Sequence, residues 1–320
     1  MAMKYTSIVG INQSKALKVF RHRWQLHVFM LFPCLLTFIF SYIPMFGVQI
    51  AFKNFIAAKG IWGSEWVGLS HFEKFFNSYN FTKIVTNTIG LSVYSLVVGF
   101  PLPILFALVL NIMKREKLKK TIQTITYIPH FISTVVLVGL IMQVLSPVHG
   151  LYGSLYRLFS LGGMYPSDII GKPSAFSHLY VWSGVWQNLG WNSIIYSAAL
   201  SGVDPQLHEA AQIDGATQLQ RIFHIDLPSI MPTAAVLLIM SAGSIMDVGF
   251  EKVYLMQNGL NLNYSEVIST YVYKVGMKAG GGNFSYATAI GLFNSVVNCV
   301  LLIVVNFATS RLSHKETSLF

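Results

Sequence analysis

The residues best suited to catalysis by type and spacing lie between positions 204 and 226. His208 and Glu209 begin the sequence His-Glu-Ala-Ala-Gln, which differs by one residue from the HExxH zinc motif. A zinc protease needs two imidazoles on one helix face, and Gln212 stands where the second should be. His224 is nearby but has the wrong spacing. The pattern therefore predicts neither a metal site nor a protease here.

Two other kinds of chemistry would need residue patterns of their own. Carboxylates cluster in this stretch at Asp204, Glu209, Asp214 and Asp226, and a glycan-processing enzyme in the membrane would need such a cluster on one membrane face. A phosphate-binding loop would need the pattern GxxxxGK[ST]. The chain lacks that pattern, and the glycines at 280–282 have no lysine after them. We therefore expect this chain to bind no ATP and no other cofactor, and the three glycines to form a flexible outer loop.

Polar side chains recur within otherwise apolar segments. Those that could line a substrate pathway are Trp186, Asn188, Asn192, Tyr196, Ser244, Asp247, Asn294 and Asn298. Several are three or four residues apart, a spacing that places them on one helix face. Polar groups in hydrocarbon need partners, so these stripes either bond to other helices or line a water-filled path. Trp186 could stack on a sugar ring or anchor its helix at the membrane interface.

The composition is that of an integral membrane protein. Of the 320 residues, 53% are hydrophobic and only 11% are charged, and the mean hydropathy is +0.56. A net charge of +10 could suggest nucleic acid, but the basic residues lie at the ends of apolar runs, as membrane topology requires. Cys34 and Cys299 lie far apart in two such runs. We expect them to be free, inert thiols.

The apolar runs predict an all-α membrane protein with six transmembrane helices. Crossing the hydrocarbon core takes about 20 apolar residues. The predicted spans are residues 27–50, 87–110, 122–145, 179–202, 232–249 and 286–309. Pro101 and Pro103 should kink the second span. In the loop before it, Phe72, Phe75 and Phe76 form an aromatic patch suited to the membrane-water boundary.

Basic residues predict the orientation. Residues 1–26 contain five Lys or Arg and no acid, and KREKLKK follows the second span. Both segments are therefore expected on the cytoplasmic side, together with the tail at 310–320. The first apolar run is too long for a cleaved signal peptide. We predict a multi-pass protein of the bacterial plasma membrane with both termini cytoplasmic. An alternative with five spans would not place the basic clusters of the N-terminal segment, of KREKLKK and of the C-terminal tail on the same side of the membrane.

Between the fourth and fifth spans, residues 204–231 are predicted to form two short helices joined at a bend, which we call the elbow. Asp204-Pro205 begins the first helix as its N-cap and first helical residue. Asp214-Gly215 ends it. The second helix is expected to stop at Leu227-Pro228. By orientation the elbow is cytoplasmic.

The composition of the elbow favours docking to another protein. The small residues Ala210, Ala211, Gly215 and Ala216 would let a partner backbone approach closely, and Arg221 is the only Lys or Arg between Gly202 and Met231. A helix that lies on lipid would be expected to use bulkier apolar residues and more lysine. An ordinary interfacial connector remains the alternative.

The amino-acid sequence of the elbow resembles the signature loop of ABC importer permeases. The pattern is E-A-A-x-x-D-G-A, then Phe, then I-x-L-P, formed here by Glu209, Ala210, Ala211, Asp214, Gly215, Ala216, Phe223, Ile225, Leu227 and Pro228. From end to end the chain is similar to binding-protein-dependent sugar permeases of the maltose-transporter type. The segments WVGLSHF, GFPLPILFALVLN, YIPHFIS and STYVYKVG resemble the subgroup for complex oligosaccharides and polysaccharide fragments.

This resemblance implies a type I importer permease fold in which the elbow is a coupling helix. Glu209 would pair with a cytoplasmic ATPase subunit and Gly215 would make the turn. The implied partners are two ATPase subunits that bind ATP and Mg²⁺, a second homologous permease, and an extracellular sugar-binding protein. The chain itself would be no enzyme but would import an oligosaccharide by alternating access. The short loop between the first two spans departs from relatives that carry a large outer domain there.

Two alternatives to this function stay open. An ion-driven secondary transporter would need an acid or base at mid-span, and the chain offers only Asp247, which is off-centre. A glycan-processing enzyme would have to use the acids of the elbow, which lie within the coupling pattern on the cytoplasmic side.

Overall fold

The computed structural model describes residues 24–159, 165–278 and 282–312. Most of the two predicted cytoplasmic end segments, 1–26 and 310–320, and two of the three glycines at 280–282 lie outside these ranges. The described chain is almost entirely helical, apart from a two-stranded antiparallel pair of Lys53–Asn54 (β1) and Glu65–Trp66 (β2).

The helices differ widely in length. Up to the centre of the chain they are α1 (Trp24–Phe52), α2 (Gly60–Gly63), α3 (Ser70–Phe76), α4 (Phe81–Asn111), α5 (Glu116–Phe131), α6 (Thr134–Val144), α7 (Leu151–Phe159) and α8 (Pro173–Ser201). The remainder are α9 (Pro205–Ile213), α10 (Gln218–Ala242), α11 (Phe250–Met256), α12 (Leu262–Ser265), α13 (Ile268–Tyr273) and α14 (Phe284–Leu312). By length and composition, four of them can cross a membrane: α1, α4, α10 and α14.

Helix α4 contains the predicted second span and is longer than the sequence indicated. It begins at Phe81 rather than near residue 87. The turn at Phe100 is kept, because the Phe100 N–H donates to the Leu96 carbonyl over 2.9 Å. Pro101 and Pro103 then occupy the start of a new helical segment, where a missing N–H costs little. The helix therefore continues through both prolines.

The third predicted span, 122–145, is not one straight helix. It divides into α5 and α6, whose axes differ by 100°. Pro129 cannot donate a backbone hydrogen bond, and the chain narrows to a 3₁₀ turn around it. Ser133 then begins α6 as its N-cap, with its Oγ accepting from the Val136 N–H over 3.4 Å. This pair is either a broken span or a re-entrant loop, and counting it gives five candidate spans instead of six.

The fourth predicted span lies within α8, a 29-residue helix that starts at Pro173 rather than near residue 179. It is too polar to pass a test of apolar composition. It packs against α4, α5, α10, α11 and α12, so it is the central helix of the described fold. Gly190 permits its contact with α5, because a Cβ there would lie 2.4 Å from the Thr126 carbonyl oxygen.

The prediction that Leu227-Pro228 stops the second elbow helix is wrong. Helix α10 runs through both residues to Ala242. A π turn over Ile222–Asp226 precedes the proline, and the Leu227 N–H donates to the Ile222 carbonyl. Pro228 then lies at the start of the following α-helical segment, where its lack of an N–H is tolerated.

The fifth predicted span, 232–249, also has different bounds. Its helical part ends at Ala242, and residues 243–249 form turns. The prediction extended too far because these residues are apolar enough to continue a helix. The side chain of Asn298 on α14 holds these turns.

The loops contain more structure than expected. Helix α7 lies within the predicted loop 146–177. Phe75, assigned to a boundary patch, is fully buried and packs edge-on against Phe81, Tyr286 and Phe293. It belongs to a core that joins α3, α4 and α14. Phe76 remains about half exposed.

Candidate substrate cavity and coupling elbow

A polar cavity of about 510 Å³ lies between α4, α8, α10 and the turns that follow α10. Five of the eight predicted pathway residues line it: Asn188, Asn192, Tyr196, Ser244 and Asp247. The first three are on α8 at four-residue spacing, so one face of the central helix forms one wall. Ser92, Ser95 and Gln187 also line the cavity and were not predicted.

The two interpretations of the α8 stripe are compatible. Asn188 lines the cavity, and its Oδ1 lies 3.0 Å from His130 Nδ1 on α5. Its Nδ2 donates to the Gly184 carbonyl one turn earlier. The same side chain therefore joins two helices and contributes to the wall. Asn192 is exposed to the cavity, whereas Tyr196 is buried.

The two asparagines of α14 lie behind the cavity wall. Asn294 Nδ2 donates to Asp247 Oδ1 over 2.8 Å and so fixes the one acid of the lining. Asn298 is buried, and its Oδ1 accepts from the Met246 N–H over 2.9 Å. It thereby holds the turns at 243–249 that end the fifth helix. The four-residue spacing of Asn294 and Asn298 places them on one helix face, as the sequence predicted. In the structure this face bonds to the neighbouring turns.

Trp186 lies apart from the other predicted pathway residues. It lines a separate apolar cavity of about 520 Å³, together with residues of α6. Trp182 donates from Nε1 to the Tyr94 hydroxyl over 3.0 Å. Trp191 stacks on His130 with ring centroids 4.3 Å apart. These tryptophans are involved in helix packing and apolar surface, and Trp186 does not line the polar cavity.

Lys252 was missed in the sequence. It lies on α11, outside the candidate spans, and is only 9% exposed. Its Nζ donates to the Tyr180 carbonyl over 2.8 Å and lies 4.7 Å from the centre of the Tyr180 ring. Burial lowers the pKa of its ammonium group to about 8. A lone lysine after an apolar run looks like a boundary charge, and only the tertiary fold places it in the cavity wall.

The elbow forms where the sequence predicted it. Asp204 Oδ1 accepts from the Gln206 N–H over 2.9 Å and caps α9, with Pro205 as its first residue. The bend follows at Gly215, whose φ of +79° is a left-handed conformation that favours glycine. Thr217 and Gln220 then form a reciprocal capping box that begins α10. Each of these local signals is readable from residue types alone.

The outer face of the elbow is apolar. Ile213 is 87% exposed, and Leu207, Leu219 and Phe223 are more than half exposed. Among the predicted coupling residues, Glu209, Ala210, Asp214, Gly215, Phe223 and Pro228 are exposed, and Ala211, Ala216 and Leu227 are partly buried. Ala211, Asp214, Gly215 and Ala216 also line a shallow pocket of about 320 Å³ inside the bend.

The inner face of the elbow is bound to the rest of the fold through Asp226. This residue is 2% exposed, and its Oδ1 lies 3.2 Å from His208 Nε2 on α9. Asn111, the last residue of α4, donates to the same oxygen over 3.3 Å. Asp226 is therefore a structural acid rather than part of an open carboxylate cluster. Within the described ranges, no three His, Cys, Asp or Glu side chains gather as metal ligands.

Several long apolar helices, a polar cavity among them and an exposed elbow indicate a multi-pass membrane protein. The chain belongs to the family described as the binding-protein-dependent transport system inner membrane component, whose profile matches residues 99–314. The match covers α5 to α14 and the C-terminal part of α4, from residue 99. A member of this family is the permease subunit of an ABC transporter and not an enzyme, because ATP is hydrolysed by a partner subunit.

Three known proteins show what this chain is similar to. The chain is 41% identical over 281 residues to the polygalacturonan/rhamnogalacturonan transport system permease protein YteP of Bacillus subtilis, covering 88% of this chain and 86% of YteP. It is similar in structure to a chain of a bacterial ABC transporter involved in the import of the acidic polysaccharide alginate, with a TM-score of 0.84, 37% identity and coverage of 93% and 99%. A second structure, the alginate transporter with an alginate pentasaccharide-bound periplasmic protein, matches equally well over 94% of this chain and 99% of that chain.

Proposed function

We propose that this chain is the permease subunit of an ATP-driven importer for an oligosaccharide that an extracellular binding protein delivers. The observation that supports this most directly is the polar cavity among the long helices of a chain 37–41% identical to polysaccharide permeases. Its wall offers amide and hydroxyl groups, which suit the many hydroxyls of a sugar. A cavity of about 510 Å³ has room for a small part of an oligosaccharide at one time.

The proposed transport path runs along α8. This helix has 29 residues, which corresponds to about 43 Å at 1.5 Å per residue, more than the hydrocarbon core of about 30 Å. Helix α8 is too polar to be counted as a membrane span by composition alone. Such polarity is expected of a helix that faces a water-filled path. With α8 and the bent pair α5–α6 counted as spans, the chain has six, and both termini are on the cytoplasmic side.

The proposed coupling site is the exposed elbow. Its apolar outer face, with Leu219 and Phe223, would insert into a cleft of a cytoplasmic ATPase subunit, and Glu209 would pair with a basic residue there. Asp226 and His208 connect the elbow to α4 and α10, so a displacement of the elbow would move both helices. Alternating access of the cavity would follow from that movement.

The proposed assembly also contains a second homologous permease and two ATPase subunits, which bind the ATP and Mg²⁺. This chain would bind no cofactor itself. Helix α1 is consistent with a position at the outside of the assembly, because its apolar side chains are exposed along most of its length. Lipid or the second permease would cover them.

The alternatives have less support. An ion-driven transporter would have to use Asp247, yet Asn294 already donates to this carboxylate and it is on a turn beyond the fifth helix. A glycan-processing enzyme would need a cluster of open carboxylates, whereas one of the four acids of the elbow, Asp226, is buried against His208.

The test is uptake by the complete transporter, purified through this chain and reconstituted in liposomes. We expect oligosaccharide uptake only when ATP is present on the cytoplasmic side and the loaded binding protein on the other. Uptake that follows a proton or sodium gradient without ATP would contradict the proposal. Cleavage of the oligosaccharide by the purified chain alone would contradict it as well.

A further inference from the structure

The polar cavity is lined by one lysine whose charge no acid of the described ranges neutralises. Among the described residues that line it, Lys252 is the one Lys or Arg, and Asp247 is the one acid. No carboxylate of the described ranges lies within 4.0 Å of the Lys252 ammonium group. Asp247 instead accepts a hydrogen bond from Asn294. Lys252 is thus a buried charge without a counter-ion.

Another buried charge in the same half of the chain is treated differently. Glu266 is almost fully buried, and Lys83 and Lys274 lie 3.1 and 3.2 Å from its two carboxylate oxygens. Burying an unpaired charge is unfavourable, so a buried charge usually has a partner. Lys53 is also buried with no carboxylate within 4.0 Å in the described ranges, but it lies outside the cavity, where its Nζ donates to the Ile61 carbonyl over 2.8 Å and lies 4.7 Å from the centre of the Trp66 ring.

The position of Lys252 leaves donors available to a ligand. An ammonium group has three N–H donors, and the Tyr180 carbonyl accepts one of them. The Tyr180 ring stabilises the positive charge from one side without neutralising it. The ammonium group also lies close to Gly184, where a Cβ would come within 3.2 Å of Nζ. Tyr180 and Gly184 both line the cavity, so Nζ lies at its wall.

The neighbouring groups suit a sugar acid. Asn188 and Asn192 follow Gly184 on α8 at successive turns and line the same wall. The hydroxyls of Ser92 and Ser95, on α4 across from them, are buried and have no hydrogen-bond partner in the described part of the chain. A carboxylate at Lys252 would place the ring hydroxyls of the same sugar among these amides and hydroxyls.

We propose that Lys252 binds the carboxylate of an acidic oligosaccharide, a chain of uronic acid units, as it passes through the cavity. This proposal rests on the proposed function and names its substrate class. The charge-assisted hydrogen bond that forms would replace the missing counter-ion, and it would be renewed as each unit of the chain advances. A neutral oligosaccharide would leave the lysine unpaired at every step.

The test compares three variants in the reconstituted transporter, with tri-galacturonate as the probe. Lys252→Gln removes the charge, Lys252→Arg keeps it, and Lys117→Gln removes an exposed lysine outside the cavity as a control. We expect Lys252→Gln to lower the uptake rate about tenfold or more, since a hydrogen bond to a charged group is lost. Lys252→Arg and Lys117→Gln should stay within about twofold of the unaltered protein.

A second measurement separates binding from misfolding. ATPase activity stimulated by the binding protein should persist in Lys252→Gln, because the elbow and the assembly are unaltered. Tri-galacturonate uptake by Lys252→Gln at the unaltered rate would overturn the proposal. So would an equal loss of uptake in Lys252→Gln and Lys252→Arg, which would make the lysine a packing residue.

Neutral arabinotriose distinguishes this proposal from the proposed function on which it rests. If the unaltered transporter imports arabinotriose but not tri-galacturonate, the uronate proposal fails while the importer function stands. If it imports no oligosaccharide of either kind, both fail. Import of tri-galacturonate with loss in Lys252→Gln supports both.

Discussion

The elbow and the polar cavity differ in how their residues are brought together. The elbow is built within 30 consecutive residues from an N-cap, a left-handed glycine and a capping box. The cavity combines side chains from positions 92 to 252, on four helices and a set of turns. Local hydrogen bonds shape the first, and helix packing shapes the second.

This difference has a functional meaning. A surface that must fit a partner subunit gains from a rigid local shape that does not depend on the state of the transporter. A cavity that must open alternately to two sides gains from being divided among helices that can move relative to one another. A single substitution at the bend of the elbow should therefore disable transport more completely than one in the cavity.

The largest effect is expected from Gly215→Pro. Proline fixes φ near −65°, whereas the bend needs +79° at this position. The elbow would lose its shape, and the ATPase subunits would lose their contact with it. Uptake should therefore fall by more than about 100-fold, whereas membrane insertion should be unchanged. The measurement is ATP-dependent uptake together with stimulated ATPase activity.

Asparagine at the same position is the matched control for that experiment. Asn adopts left-handed conformations more readily than other residues with a side chain. A Cβ at position 215 would meet no atom within 4 Å. Gly215→Asn should therefore keep most of the uptake. Loss of transport in both variants would show that the position requires glycine for a reason other than its φ angle.

Glu209→Lys should have the next largest effect. The side chain is exposed on the elbow surface, and reversing its charge would oppose a basic partner residue. We expect uptake to fall about tenfold or more and stimulated ATPase activity to fall with it. Insertion and the amount of protein in the membrane should not change. Unaltered uptake in this variant would remove Glu209 from the ATPase contact.

The same contrast explains what could be predicted from the sequence. Asp204-Pro205 and Asp214-Gly215 are local signals, and the first helix of the elbow lies where they placed it. The stop at Pro228 was wrong because a π turn accommodated the proline, and a pattern of residue types does not reveal a π turn. The family itself was correctly recognised from the elbow pattern.

For the cavity, the sequence identified helix faces but not their neighbours. Asn188, Asn192 and Tyr196 share a face in sequence and in structure. The packing of turns 243–249 determines two further features: Asn298 bonds to Met246, and Lys252 reaches the cavity wall. No local spacing in the sequence encodes this packing. The bend between α5 and α6 was missed for a similar reason, since an apolar run looks continuous through Pro129.

Helix α8 contributes polar side chains to the polar cavity and Trp186 to the separate apolar cavity, and one substitution in each can compare the two. Asn192→Leu would place an apolar side chain on the polar wall, whereas Trp186→Leu alters the separate apolar cavity. We expect uptake to fall about fivefold in the first variant, from the loss of hydrogen bonds to sugar, and by less than about twofold in the second. Equal losses would mean that transport depends on both cavities.

The smallest effect is expected where the elbow meets the spans. His208→Ala removes the partner of buried Asp226 and leaves Asn111 as its remaining hydrogen-bond donor from another helix. An incompletely satisfied buried carboxylate costs about 1–3 kcal/mol, so the elbow should move less tightly with α4 and α10. We expect a two- to fivefold loss of uptake with stimulated ATPase activity retained, which is partial uncoupling. His224→Ala is the control, since that exposed side chain bonds to the Gln220 carbonyl of its own helical turn and not to Asp226. If the two variants behave alike, force does not pass from elbow to spans through Asp226.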